Sequence, residues 1–154
     1  MEGLQIEIVK SERKLSVFEG ADLVASFEVA FGFEPIGPKA MSSDGRTPEG
    51  EYLVCAKNPE SKFHLSLALN YPNEWDAKRG LESGLITEAQ HDAILEANKN
   101  GKLPPQDTAL GGEIYIHGGG IEGDWTRGCI GLADNEMTEL FEAVGLGTPV
   151  TIYS

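Results

Sequence analysis

IHGGGIEGDWTRGCIGL, residues 116–132, gathers six glycines around one histidine, His117, and one cysteine, Cys129. Two architectures compete for it. Gly118-Gly119-Gly120-Ile121-Glu122-Gly123 satisfies the G-x-G-x-x-G pattern of dinucleotide-binding α/β folds, which needs a strand before it and a helix opening inside it, so that amide groups face the pyrophosphate. The strand is there, because EIYIH (113–117) alternates apolar and polar residues. The helix is not: Asp124-Trp125-Thr126-Arg127-Gly128-Cys129 has no helical pattern, and no βαβ repeat surrounds it. The stretch therefore reads as strand, loop and turn, and the fold as mainly β.

Working outward, the first 70 residues support this. LQIEIV (4–9), RKLSVF (13–18) and DLVASFEVAF (22–31) read as strands, the last with Phe27, Val29 and Phe31 on one face. Glu19-Gly20-Ala21-Asp22 reads as a hairpin turn between the second and third. Residues 32–50 are dense in Gly and Pro and read as an ordered surface loop, in which Arg46 is expected to brace against Glu49 or Asp44. Strands resume at EYLVCA (51–56), where Cys55 is expected to be a buried, inert thiol, and at FHLSLALNY (63–71), where Leu65, Leu67 and Leu69 share a face. Thr87-Glu88-Ala89-Gln90 has capping-box spacing, which predicts a helix to about Asn98, ended by Gly101 and Pro104-Pro105. Asp134 is placed to cap a last helix, with Met137, Leu140, Phe141 and Val144 on one face and Gly145 as its stop. TPVTIY (148–153) closes the chain as a strand. The expectation is one domain over residues 1–154, mainly β, with a helical insertion at about 73–103 and one packing helix near the carboxyl end.

Composition narrows the function. Hydrophobic residues make up 40% and charged residues 24% of the 154 positions, the profile of a globular chain with a sizeable core. The formal net charge of −13 repels phosphate backbones, so nucleic acid is an improbable partner. No apolar run approaches the length of a membrane helix, and MEGLQIEIVK carries no signal-peptide pattern. Two cysteines, 74 positions apart, exclude a disulfide-rich scaffold.

The chemistry then rests on few residues. His64, His91 and His117 show no paired-ligand spacing, so no metal site is expected. His117-Gly118-Gly119-Gly120 mimics an esterase oxyanion loop, but no G-x-S-x-G elbow exists in the chain. A cysteine nucleophile remains. A thiol attacks as thiolate, and His117, held at a strand end, can serve as its base, while the glycines beside Cys129 permit a turn that aims amides at an oxyanion. Residue types alone leave this open against a plain alternative, in which Cys129 is a turn residue and His117 a satisfied strand-end histidine.

The balance shifts with a resemblance. His117-Gly118, followed by Thr126-Arg127-Gly128-Cys129-Ile130-Gly131, resembles the signature of the L,D-transpeptidase catalytic domain, the YkuD family. Gly37-Pro38-Lys39, Asp44-Gly45-Arg46-Thr47-Pro48-Glu49-Gly50, Tyr71-Pro72-Asn73, Asp124-Trp125-Thr126 and Gly147-Thr148-Pro149-Val150 are similar to blocks of its YafK-like branch. Gly131 departs from the pattern, standing where many members carry Arg or Asn, and the gap from His117 to Cys129 is shorter than in many.

The resemblance implies an L,D-transpeptidase-like β-sandwich or closed barrel. It implies Cys129 as nucleophile, His117 as base, the Gly118 carbonyl as the group that orients the imidazole, and the amides of Arg127, Gly128 and Cys129 as oxyanion hole. Trp125, Thr126, Arg127 and Tyr71 become candidate substrate contacts. The implied partner is a peptidoglycan stem peptide, cleaved before its terminal D-alanine and passed to an amine, with a carbapenem or other β-lactam as a possible covalent adduct. No cofactor is implied, a monomer is expected, and the substrate implies the bacterial cell envelope. Two alternatives stand beside it: the same site with water as acceptor, a carboxypeptidase or amidase, and a non-catalytic cell-wall-binding module.

Overall fold

The computed structural model describes residues 3–61 and 64–154. β1 (Leu4–Val9), β2 (Lys14–Glu19) and β3 (Asp22–Glu28) form an antiparallel meander. The period-two pattern sets its faces: Leu4, Ile6 and Ile8 of β1 and Leu15 and Val17 of β2 are buried between exposed or half-buried neighbours. β3 stops at Glu28 rather than Phe31: after one further bond, from the Val29 amide to the carbonyl of Arg13 at 3.0 Å, the chain crosses to another strand. Phe27, Val29 and Phe31 are nonetheless all buried.

β4 (Gly50–Ser61) outruns its expected end at Ala56, pairing with β5 (His64–Leu69) as far as Ser61↔His64. Phe63, the expected start of β5, lies outside the described residues. β5 is buried on both faces at Ser66, Leu67, Ala68 and Leu69, with Leu65 partly buried against the core. Cys55 corrects its expectation: it sits at an irregularity of β4 and is half-buried, with Sγ 3.6 Å from the Ala68 carbonyl.

β6 (Tyr115–His117), β7 (Ile130–Gly131) and β8 (Pro149–Tyr153) complete a sheet of order β3-β2-β1-β8-β4-β5-β6-β7. β8 lies between β1, to which it is parallel, and β4, to which it is antiparallel. The sheet curls until its rims meet. Ala30 pairs with Gly131 of β7, each amide donating to the other's carbonyl at 2.9 Å, and Gly32 bridges Thr126. The expected barrel is thus a curled half-barrel, joined at its rims by bridges rather than by a full ladder.

Its hollow is filled by Ile6, Ile8, Leu15, Val54, Leu67, Leu69, Ile116, Ile130 and Ile152, and is plugged by α3 (Asp134–Ala143). Met137 and Leu140 of that helix are fully buried, worth roughly 3–6 kcal/mol together. Asp134 is not its N-cap. Ala133 holds that position and, as a methyl side chain, makes no capping bond; Asp134 is the first helical residue, and its carboxylate accepts from the Gly119 amide at 2.8 Å. The helical insertion contains two helices, α1 (Glu74–Glu82) and α2 (Glu88–Lys99), capped by Asn73 and Thr87 through complete capping boxes. They enclose a second small core of Ala77, Ile86, Ile94 and Leu110.

Candidate active site

Strands β5 and β6 divide their side chains between two faces. Leu67, Leu69 and Ile116 enter the core, so Ser66, Ala68, Tyr115 and His117 project from the opposite face, with Ser66 opposite His117 and Ala68 opposite Tyr115. β7 pairs in parallel with β6, His117 opposite Gly131 and Ile116 opposite Ile130. Cys129, immediately before β7, therefore falls beside Tyr115 on the face that carries His117. Its Sγ lies 3.4 Å from the Tyr115 amide and donates to the Glu113 carbonyl at 3.1 Å.

His117 is almost fully buried, with Nδ1 2.6 Å from the Gly118 carbonyl. A carbonyl only accepts, so Nδ1 carries the proton and the neutral ring keeps its lone pair on Nε2. Burial lowers the imidazole pKa and the Gly118 contact recovers part of that loss, so the ring rests neutral. Trp125 packs edge-on against it, centroids 5.5 Å apart, with Nε1 donating to the Gly120 carbonyl at 3.0 Å. A Cβ at Gly131 would lie 3.1 Å from the Gly120 oxygen and 3.4 Å from Trp125 Nε1. Glycine at 131 thus leaves the space that the indole occupies.

The cysteine environment differs from what a pre-formed thiolate requires. Burial pushes the Cys129 thiol up to about 11, and the charge of Glu113 adds to this against the Tyr115 amide and Lys39. The resting pair is a neutral thiol and a neutral imidazole.

The turn around Cys129 is held from within. Thr126 Oγ1 donates to the Cys129 carbonyl at 2.7 Å and accepts from the Gly128 amide at 3.2 Å. The Gly128 amide, expected in the oxyanion hole, is therefore engaged, whereas those of Arg127 and Cys129 have no partner among the described residues. Gly128 adopts φ +135°, and a Cβ there would meet the Arg46 carbonyl at 2.8 Å. Of the candidate substrate contacts, Thr126 is buried as this staple, and Tyr71 is fully buried with its hydroxyl donated to the Leu110 carbonyl at 2.7 Å. Both hydroxyls are thus engaged within the protein. Arg127 and Trp125 are exposed.

Loop 32–50 packs against this turn, with the Phe33 amide donating to the Thr126 carbonyl at 3.0 Å. Asp44 accepts from the amides of Ala40, Met41 and Arg46 and from Lys39 Nζ at 3.0 Å. Burial alone would raise its pKa, but these donors outweigh it and hold the carboxylate low. Lys39 runs beneath the turn at Gly111, where a Cβ would come within 3.1 Å of its Cε. Arg46 reaches the Ile36 carbonyl, not a carboxylate, because Glu49 is taken by the buried Lys10 at 3.1 Å. On the other side Asp124 pairs with Arg13 and accepts from the Phe31 amide.

Glu113 was not singled out from sequence. It takes φ +57°, and this left-handed turn aims its carbonyl at Cys129. Nothing in its residue type signals that. Among the described residues, no group of three His, Cys, Asp or Glu side chains could hold a metal ion.

Residues 4–152 match the profile of YkuD, the L,D-transpeptidase catalytic domain. The chain belongs to this family. An 83-residue stretch is 30% identical to YafK of Escherichia coli (strain K12), whose name assigns it provisionally to the L,D-transpeptidases; the stretch is 50% of this chain and 34% of YafK. In fold, this YkuD domain is similar to the helical cell shape determining protein Pgp2 of Campylobacter jejuni, with TM-score 0.66 and 23% identity over 97% of this chain and 46% of Pgp2. It is similar also to Bd1075 of Bdellovibrio bacteriovorus, with TM-score 0.62 and 24% identity over 98% and 48%. An L,D-transpeptidase of Mycobacterium smegmatis shares the fold at TM-score 0.59 and 11% identity, over 99% and 59%. The chain thus spans about a third of YafK and about half of Pgp2 and Bd1075.

Proposed function

We propose that this YkuD domain is a cysteine acyltransferase acting on peptidoglycan stem peptides in the bacterial cell envelope. The observation that carries the reading is the juxtaposition of Cys129 and His117 on one face of adjacent strands, with Nδ1 fixed by the Gly118 carbonyl. That main-chain contact gives the imidazole the tautomer a base needs, without a carboxylate beside it.

In this mechanism His117 Nε2 takes the thiol proton as Sγ attacks the carbonyl that precedes the terminal D-alanine. The amides of Arg127 and Cys129 receive the developing oxyanion. Collapse breaks the C–N bond, His117 returns its proton to the departing amine, and a thioester remains on Cys129. An amine of a second stem attacks the thioester and loses its proton to His117, and thiol and product are restored. Because the resting thiol is protonated, nucleophile and base act together in the substrate complex rather than as a stored ion pair.

A β-lactam reports the first half of this cycle, because ring opening acylates the thiol and leaves no acceptor step. Structural relatives include an avibactam carbamoyl enzyme and an L,D-transpeptidase in complex with imipenem. Intact-mass spectrometry after incubation with a carbapenem is expected to show one adduct, absent from Cys129→Ala. A folded protein that takes no adduct refutes the proposal. Analysis of muropeptide products separates an amine acceptor from water.

A further inference from the structure

The face that carries Cys129 and His117 continues across the sheet. On β5 it passes from Ser66 and Ala68 to Asn70, and on β4, where Tyr52 and Val54 enter the core, to Leu53 and Glu51. The Leu53 amide donates to Asn70 Oδ1 at 2.8 Å, which joins the two strands on this side. Tyr115 stands between, its amide 3.4 Å from Cys129 Sγ and its phenol pKa raised chiefly by burial. Three strand spacings, or roughly 14 Å, separate β7 from β4.

At that far end a cleft of about 490 Å3 opens between the sheet and the helical insertion, lined by Glu51, Leu53, Asn70, Trp75, Asn98 and Lys99 among others. Three features describe what it can hold. Trp75 is 64% exposed, with the Lys78 ammonium 5.9 Å from its ring centroid. Asn70 is buried, and its amide group is aimed by two bonds: Oδ1 accepts from Leu53 and Nδ2 donates to Asn98 Oδ1 at 3.0 Å. Asn98 is fixed in turn by donating to the Pro72 and Ile94 carbonyls. A primary amide has two N–H groups and two acceptor positions, so Asn70 keeps one of each. Finally, the cleft carries two carboxylates, Glu51 and Glu74, against one ammonium, Lys99, and so disfavours an anionic ligand.

A flat aromatic beside the fixed amides of Asn70 and Asn98 and a carboxylate acceptor suits a neutral ligand with an apolar face and a polar edge. We propose that this cleft is a saccharide subsite, in which Trp75 stacks on a sugar ring while Glu51 and the Asn70–Asn98 pair bind its hydroxyl or acetamido groups. The proposal rests on the acyltransferase reading for its biological sense, since a stem peptide is attached to a glycan strand. The cleft would hold part of that strand while the peptide reaches Cys129 along the same face.

Isothermal titration calorimetry with a soluble β-1,4-linked N-acetylglucosamine tetramer tests this on the intact chain. Saturable binding is expected, weakened about tenfold by Trp75→Ala and largely retained by Trp75→Tyr. Carbapenem acylation of Cys129 should be unchanged in both variants, which also shows that they are folded. No saturable binding to the unaltered protein, or equal binding by Trp75→Ala, overturns the subsite. The two readings separate cleanly: an acylated Cys129 without sugar binding removes only the subsite, and Trp75-dependent sugar binding without acylation removes only the acyltransferase.

Discussion

Cys129 should alkylate like a half-buried, protonated thiol, and the rate should show it across pH. In a Cys55→Ala background it is the sole thiol of the chain. With its pKa pushed up from 9.0 to about 11, about one molecule in ten thousand is thiolate at pH 7, roughly a hundredfold less than for an unperturbed cysteine. The second-order rate of iodoacetamide labelling, followed by mass spectrometry, should therefore rise about tenfold per pH unit from 7 to 10 with no plateau. His117→Ala should leave this profile nearly unaltered, because the resting Sγ is held by the Glu113 carbonyl and the Tyr115 amide. The same variant should lose carbapenem acylation, where the base is required. A labelling rate that is already flat at pH 7 and becomes pH-dependent in His117→Ala would mean a pre-formed thiolate–imidazolium pair, and would refute the neutral resting state.

Three further outcomes follow from the packing. Gly32→Ala places a Cβ 2.1 Å from the Gly45 carbonyl and 3.0 Å from Gly128 Cα; the overpacking should cost about 3 kcal/mol, a fall of roughly 6–12 °C in thermal midpoint by circular dichroism. Tyr71→Phe removes the donor to the buried Leu110 carbonyl and should cost about 1–3 kcal/mol in urea unfolding while leaving KM unaltered; a raised KM at unchanged stability would return Tyr71 to the substrate site. Asp44 has a lowered folded pKa, so its contribution to stability is complete above its ordinary value near 3.8 and is lost as pH falls through the lower folded value; acid unfolding of Asp44→Asn should lack that part of the decline.

What could be read from the chain beforehand follows from how local each cause is. β1 and β2 announce themselves because one buried face every second residue is a local pattern, and α2 because Thr87 and Gln90 cap each other within one turn. α1 gives no comparable periodic signal, since EWDAKRGLE buries only Asp76, Ala77 and Gly80. β7 is two residues long and exists through partners far away in sequence, Ile116, His117 and Ala30. The candidate site divides in the same way. Cys129, His117 and the Gly118 carbonyl could be singled out from residue type, neighbours and resemblance. Thr126 and Tyr71 read as candidate substrate contacts from resemblance alone, and their hydroxyls are taken by carbonyls that only the fold brings near. Glu113 left no trace because a left-handed conformation at a non-glycine residue is imposed by its surroundings.

The meeting of the sheet's rims has a consequence for when a reactive centre exists. Gly131 and Thr126 are paired to Ala30, Phe31, Gly32 and Phe33, about a hundred residues away in sequence. A contact of that span carries a large loop-closure cost and is expected late on the folding route. During synthesis, residues 30–33 emerge long before the cysteine turn they shape. A chain still being made, or one partly opened by heat or proteolysis at its first hairpin, lacks the scaffold that sets Cys129 beside His117. If the domain is the acyltransferase proposed above, competence should appear only once these rims have met, and refolding experiments should recover secondary structure before they recover acylation.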